Sequence, residues 1–217
     1  METDDLHFGP LERREKYDTK EDGQFYAYTR YRVAIAEDCK CRCVYCDIHE
    51  DLMGGREAME MDHFRPWQKK FGTKEEKKFK HLKNEPTNLV HACGVCNGFK
   101  LAFWPTEDPD RSYDHEKGWI EPFEECRADF LKVTTDGTLI PIKAPAAYHI
   151  KQLRLNRPLL KKLREHHILN KRMRLWILRI KPKWEEIVSK QPGTAEAQVA
   201  KDALEMLSMV RTALSLN

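Results

Sequence analysis

The stretch between residues 43 and 97 carries the residue types that bind metals and activate water. Four cysteines form two Cys-x-x-Cys pairs: Cys43, Cys46, Cys93 and Cys96. Asp62 and His63 lie between the pairs in the segment MDHFRPW, and Asn97 directly follows the last cysteine. These types predict a tetrahedral metal centre on the thiols, and a separate hydrolytic site on the carboxylate, the imidazole and the amide.

The cysteine pairs have the spacing of zinc knuckles. Zinc in a structural site takes four Cys or His ligands, and two Cys-x-x-Cys pairs supply them with little strain. We therefore predict structural Zn²⁺ on these four thiolates, with buried free thiols as the alternative. Cys39 and Cys41 offer a different register for the first pair, but the geometry favours Cys43 with Cys46. Cys39, Cys41 and Cys126 are then plain thiols.

Composition limits the classes of protein. The chain has 217 residues, 41% hydrophobic and 34% charged, enough for one large domain or two small ones. A net charge of +3 does not by itself indicate a nucleic-acid binder. No apolar run approaches the roughly 20 residues that cross a membrane, and the N-terminus lacks an apolar signal-peptide core. We predict a cytoplasmic protein with no membrane partner, in which paired cysteines bind metal rather than form disulfides.

The candidate residues fall at the ends of short predicted elements. QFYAYTRYRVAIAEDC favours a helix that leads into the first cysteine pair, and REAMEMDHF favours a strand that ends at His63. NLVHAC is a second strand, and GVCNGFKLAFW then begins a helix that Pro105 limits. If the strands form a hairpin and the helix packs across it, then Asp62, His63 and Asn97 converge.

The rest of the chain predicts one more hairpin and then helices. ADFLKVTTDGTLIPIK has two apolar runs around Asp136-Gly137, which is a hairpin signal. From Ala146 onward apolar residues recur at spacings of three and four, with Pro158 breaking or beginning a helix and Thr194 capping the last one. We predict an α+β chain with four segments: a polar N-terminal segment (1–24), a core with the knuckles (25–105), a connecting segment with a β-hairpin (106–145) and a helical region (146–217).

The order Asp-His, Asn-Leu and Cys-x-x-Cys-Asn-x-x-Lys resembles the motif of the HNH endonucleases, the ββα-metal nuclease module. The resemblance covers roughly residues 39–104 and implies a ββα-metal core stapled by a structural zinc on four cysteines. By position, it implies that His63 is the general base that activates water, and that Asn88 holds the loop carrying this base. It further implies that Asp62 and Asn97, where many members have His, bind a catalytic divalent cation.

These roles suit phosphodiester hydrolysis. A neutral imidazole with a pKa of about 6.5 can accept a proton at neutral pH. A hard cation such as Mg²⁺ or Mn²⁺ on a carboxylate and an amide oxygen neutralises charge on the phosphate. Lys100, one helical turn after Asn97, is a predicted substrate contact, as is Arg65 more weakly. A solvated lysine is the alternative at the first of these positions.

The flanking segments YTRYR and AAYHIKQLRLNRPLLKKLR resemble a subset of HNH proteins of bacterial antiphage systems, whose motif reads HFRP with Leu-Asn-Arg downstream. This resemblance implies a Septu-type or retron-linked nuclease subunit that works with an ABC-type ATPase. Basic side chains could follow a phosphate backbone there, or form only a solvated helix face. They are Lys151, Arg154, Arg157, Lys161, Lys162, Arg164, Lys171, Arg172, Arg174 and Arg179.

The leading hypothesis is a hydrolase: a metal-dependent HNH endonuclease that cleaves DNA as the effector of an antiviral defence complex. One alternative is a non-catalytic zinc-knuckle module that binds nucleic acid or a protein. Such a module needs none of Asp62, His63 and Asn97. Another alternative is a stand-alone restriction-type nuclease, although no separate recognition domain is obvious.

Overall fold

The computed structural model describes residues 11–67 and 79–213. Residues 1–10, 68–78 and 214–217, which belong to the predicted N-terminal, core and helical segments, lie outside the described residues. The chain divides into two compact units, Met1–Lys161 and Lys162–Asn217. The fold is mixed helix and sheet with small antiparallel hairpins, in agreement with the α+β prediction. The segment boundaries drawn from the sequence all fall within the first unit and stay predictions.

A hairpin and a helix follow one another in the first unit. Strand β1 (Met59–His63) pairs antiparallel with β2 (Leu89–Cys93), with Met59 opposite Cys93. β2 is buried along its whole length, as its apolar sequence LVHAC predicts. It continues directly into α2 (Gly94–Lys100), which contacts both strands. All three elements occur where the sequence predicts them, but Arg56–Ala58 of the predicted strand form a 3₁₀ turn, and α2 ends at Lys100, well before Pro105, because Leu101 adopts a positive φ of 55°.

The helix that leads into the first cysteine pair is α1 (Arg32–Asp38), which follows a 3₁₀ turn at Tyr28–Tyr31. It packs against β2 through a buried face that includes Ile35 and Ala36. The polar segment that precedes it is fastened to its end, because Arg14 donates to the Asp38 carboxylate at 2.8 Å. This contact brings the polar segment onto the core.

Two further hairpins complete the sheet structure. β5 (Leu131–Val133) and β6 (Leu139–Pro141) form the predicted one, in which Gly137 supplies the left-handed turn conformation at φ 78°. β3 (Tyr113–Asp114) and β4 (Lys117–Gly118) pair as well. Strands of two residues have no periodicity to detect, so the sequence did not predict this hairpin.

Helices dominate the C-terminal part. They are α3 (Ala146–Gln152), α4 (Pro158–Lys190) and α5 (Ala195–Ala213). Pro158 begins α4, where its missing N–H costs no hydrogen bond. Thr194 caps α5 by accepting the N–H of Ala197 at 3.1 Å. No helix among residues 11–67 and 79–213 is long and apolar enough to cross a membrane.

The second unit is held together by a small apolar cluster between α4 and α5. Ile177 and Leu207 are buried there. Ile180, Trp184 and Val210 pack against them and are partly buried. These positions recur at helical spacing on each helix, which is the pattern that the sequence predicts for an amphipathic pair.

Candidate functional site

The two cysteine pairs meet in one buried cluster. The Sγ atoms of Cys43, Cys46, Cys93 and Cys96 all lie within 4.8 Å of one another, and all four residues are buried. A tetrahedron with metal–sulfur bonds of about 2.3 Å has sulfur–sulfur edges of about 3.8 Å. The Cys46 and Cys93 sulfurs are 3.8 Å apart. The four thiols therefore form a potential metal site whose dimensions fit structural zinc.

The remaining cysteines lie outside this cluster. Cys39 is buried, its sulfur accepts the N–H of His91 at 3.4 Å, and burial raises its pKa to about 12. Burial also raises the pKa of Cys43 well above that of an ordinary thiol, and its neighbours Cys46 and Cys93 add to the rise. Four buried thiolates this close to one another repel each other, so they are stable together only when a cation is bound.

The cluster joins three parts of the first unit. Its first pair lies in the loop after α1, Cys93 is the last residue of β2, and Cys96 lies in α2. The loop is also fastened to β2 by the Val44 N–H, which donates to the His91 carbonyl at 3.0 Å. A metal bound to the thiols would therefore fix the end of β2 and the start of α2 against the loop.

Tyr45, inside the first cysteine pair, connects the cluster to Asp62. Its hydroxyl donates to Asp62 Oδ2 at 2.5 Å. The same oxygen is 3.2 Å from the Lys100 ammonium, and both charged residues are buried. Asp62 Oδ1 makes no hydrogen bond within the described chain, and Asp62 lines a cleft beside β1. One carboxylate oxygen is thus fixed and the other is available to a ligand.

His63, the last residue of β1, has a defined tautomer. Its Nε2 lies 2.8 Å from the carbonyl oxygen of Lys83. A carbonyl only accepts, so Nε2 carries the proton and Nδ1 is the nitrogen with a lone pair. Burial lowers the pKa of His63 below its ordinary value, which keeps the ring neutral at neutral pH. The arrangement leaves Nδ1 able to accept a proton.

Asn88 holds the backbone near His63 through hydrogen bonds. Its side chain is buried, its Oδ1 accepts the N–H of Arg65 at 2.9 Å, and its Nδ2 donates to the Arg65 carbonyl at 2.9 Å. Nδ2 also lies 3.2 Å from the carbonyl of Leu82, next to Lys83. Asn88 therefore joins the backbone after His63 to the segment that orients the imidazole.

Asn97 shares the cleft with a residue that the sequence analysis missed. Its Nδ2 donates to Glu60 Oε2 at 2.6 Å. Glu60 lies two residues before Asp62 on β1, so the alternation of a strand puts both carboxylates on one face, and this spacing could have identified it. A Cβ at Gly94 would come within 2.9 Å of Glu60 Oε1, so glycine leaves room for this carboxylate.

The cleft has a volume of about 340 Å³. Its polar side is formed by Glu60, Asp62, His63 and Asn97, and its apolar side includes Trp67 and Leu101. The structure thus brings three predicted residues together at the junction of β1, β2 and α2. Carboxylate and amide oxygens are ligands that a hard cation prefers, and a neutral imidazole can accept a proton from water. Among the described residues, however, only the four cysteines bring three or more ligand atoms of His, Cys, Asp or Glu close enough together to hold a metal.

The two predicted cationic substrate contacts occupy different places. The Lys100 side chain is fully buried, and its Nζ donates to the carbonyl of His63 at 3.1 Å in addition to pairing with Asp62. A phosphate contact would require this pair to open. The Arg65 Nε donates to the Pro109 carbonyl at 2.7 Å. Neither residue lines the cleft.

Comparison of the chain with protein-family models, with curated proteins and with solved structures found no match.

Replacement of one cluster thiol tests the metal centre. We expect Cys93→Ser to lower bound metal and the thermal unfolding temperature together, because metal binding at such sites contributes on the order of 10 kcal/mol to folding. Metal content would be measured by elemental analysis, and unfolding by calorimetry. Cys126→Ser, which removes an exposed thiol outside the cluster, is the matched control. Unchanged metal content in Cys93→Ser would exclude the site.

Proposed function

We propose that the protein is a metal-dependent endonuclease of the HNH type that hydrolyses phosphodiester bonds in DNA. The observation that carries the proposal is the convergence of Asp62, His63 and Asn97 on one cleft. The succession of β1, β2 and α2 supports it, since this order is what the resemblance to the ββα-metal module implies. In this proposal residues 39–104 are that module.

His63 acts as the general base. Its Nδ1 accepts a proton from the attacking water, while the Lys83 carbonyl holds Nε2–H and keeps the ring in one orientation. Because burial lowers the pKa of His63, the ring starts neutral and is able to accept the proton. A positioned base of this kind contributes about 10² to 10⁴ to the rate.

Asp62 and Asn97 hold the catalytic cation, Mg²⁺ or Mn²⁺, with Glu60 close by. When bound, this cation neutralises charge on the scissile phosphate and on the leaving oxygen. Tyr45 and Lys100 fix Asp62 Oδ2, so that Oδ1 serves as the ligand. Glu60 fixes the Asn97 amide nitrogen, which leaves the Asn97 carbonyl oxygen as the second donor.

The cysteine cluster has a separate task in this proposal. Zinc on four thiolates has no open position and therefore does not activate water. We assign Zn²⁺ at Cys43, Cys46, Cys93 and Cys96 to folding alone. Hydrolysis then depends on the second cation, the one in the cleft. Removal of the cleft cation should therefore affect hydrolysis, and removal of zinc should affect folding.

The cellular role is a further part of the proposal. The Leu-Asn-Arg segment and the HFRP motif support an effector subunit of a bacterial antiphage complex, with an ABC-type ATPase as partner and the cytoplasm as location. A nucleic-acid substrate is supported by the exposed basic residues of α4, among them Lys162, Arg172 and Arg179, and the resemblance favours DNA.

Removal of the base tests the activity. We expect His63→Ala to bind metal at the cysteine cluster as the native protein does, and to lose plasmid cleavage by at least about 10²-fold. Cleavage would be compared with EDTA, Mg²⁺ and Mn²⁺. His81→Ala, which removes an exposed imidazole from the same part of the chain, should cleave normally.

Normal cleavage by His63→Ala would contradict the assignment of the base. If the native protein does not cleave either, the assay is repeated with any ABC-type ATPase that is encoded beside it. Cleavage only in the complex supports the effector role. Absence of cleavage both without and with the ATPase supports the non-catalytic zinc-knuckle module instead.

The role of Asn97 is tested by titrating the cation. We expect Asn97→Ala to raise the Mg²⁺ or Mn²⁺ concentration needed for half-maximal cleavage by about tenfold or more, because one ligand oxygen is lost. Asn97→His keeps a donor at this position and should recover much of the activity. A metal titration that Asn97→Ala leaves unchanged would remove Asn97 from the ligands.

The pH dependence of cleavage follows from the state of His63. Only the neutral ring accepts a proton, so the rate should fall as the pH drops through the pKa of His63. Because burial lowers that pKa, we expect the half-maximal rate below pH of about 6.5 at saturating Mg²⁺. A profile that still rises above a pH of about 7 would contradict this assignment.

A further inference from the structure

The segment Leu155-Asn156-Arg157, between α3 and α4, reaches the cysteine cluster. The Arg157 Nη2 lies 3.5 Å from the sulfur of Cys96 and 4.0 Å from that of Cys93. The other guanidinium nitrogen, Nη1, is 3.2 Å from the carbonyl of Leu153. The guanidinium is therefore held in place by the backbone while its second nitrogen faces the thiols.

The charge of a filled centre explains why an arginine is needed there. A divalent cation on four thiolates carries a net charge of −2, and an uncompensated charge in the interior costs several kcal/mol. Arg157 lies beside the second cysteine pair. Arg127, which is buried, donates to the carbonyl of Val44 inside the first pair at 2.6 Å. Two guanidinium groups thus flank the centre, one at each pair.

The same segment has two more attachments. The Asn156 side chain accepts the N–H of Leu139 at 2.7 Å and donates to its carbonyl at 2.9 Å, which fastens it to β6. The carbonyl of Arg157 accepts the N–H of Leu160 at 3.0 Å and so begins α4. Asn156 and Arg157 therefore join the cysteine cluster, the β5–β6 hairpin and the start of α4.

We infer that Arg157 is an outer-sphere partner of the metal centre, which retains the metal by donating N–H groups to the sulfurs of Cys93 and Cys96. It lies 61 residues beyond Cys96 in the chain. Hydrogen bonds to ligand atoms typically change metal affinity by about 10- to 100-fold. The inference rests on the metal centre and not on nuclease activity.

Metal release gives the direct test. Zinc-loaded protein is mixed with an excess of a chromogenic chelator, and the rate of zinc transfer is followed by absorbance. We expect Arg157→Met to release zinc about tenfold faster or more than the native protein. Arg154→Met is the matched control, because Arg154 is exposed, lies over the ring of Phe99 at 4.6 Å, and should release zinc at the native rate.

A spectrum distinguishes donation from packing. In Co²⁺-substituted protein, the sulfur-to-cobalt charge-transfer band depends on the energy of the sulfur lone pairs, which N–H donors lower. Loss of the donors in Arg157→Met should move this band to longer wavelength. Lost packing alone would speed release and leave the band in place, and this result would overturn the inference.

A native rate of zinc release together with a native charge-transfer band in Arg157→Met would also overturn the inference. Zinc release from Arg154→Met that is faster by the same factor as from Arg157→Met would overturn it as well. If Arg157→Met does not fold, Arg157→Lys decides, since it keeps the charge with fewer geometrically fixed donors. Its release rate should then lie above the native rate with a shifted band. A native rate and band in Arg157→Lys would exclude the role of the guanidinium.

Discussion

The packing of four thiols within 4.8 Å of one another is the constraint on which the first unit depends. Structural zinc contributes about 10–16 kcal/mol in apparent terms, whereas a whole domain is stable by about 5–15 kcal/mol. If the cluster binds zinc as proposed, the metal supplies an amount comparable to the entire net stability. The loop after α1, the end of β2 and the start of α2 would then keep their arrangement only in the metal-bound protein. The cleft is built from those same elements.

The connection from the cluster to the cleft passes through Tyr45 and ends on a buried ion pair. Lys100 is fully buried, and an ammonium without a partner there would cost several kcal/mol. Pairing with Asp62 offsets part of this cost for both charged groups. If a cation binds in the cleft as proposed, the Asp62–Lys100 pair is already neutral, so the negative charge facing the cation would come from Glu60, which lies on the same face of β1. In the proposed mechanism Glu60 would then matter as much electrostatically as Asp62, the ligand that the resemblance implies.

Local signals in the sequence predicted the elements that carry the site. The apolar run LVHAC, the Asp136-Gly137 turn and the cysteine spacing each depend on a few neighbouring residues, and the structure contains β2, the β5–β6 hairpin and the cluster. Contacts made over long separations could not be predicted in the same way. Lys100 of α2 is buried against Asp62 of β1, and Arg157 is positioned against cysteines that lie 61 and 64 residues earlier. Both side chains look like solvated cations in the sequence, because nothing local distinguishes a paired lysine from an exposed one.

In the proposed mechanism, Asn88 illustrates how a residue that does not touch the reacting atoms can orient one that does. A histidine without partners divides between two tautomers, which differ in the ring nitrogen that carries the lone pair. The Lys83 carbonyl selects the tautomer with the proton on Nε2, and Asn88 positions this part of the chain through the neighbouring Leu82 carbonyl. Asn88 also fixes the backbone of Arg65, two residues after His63. One buried amide therefore positions the chain on both sides of the contact between His63 and the Lys83 carbonyl. In the proposed mechanism Asn88 is therefore a positioning residue: its loss should allow the ring to rotate and exchange tautomers while the proposed base and the proposed cation ligands are all still present.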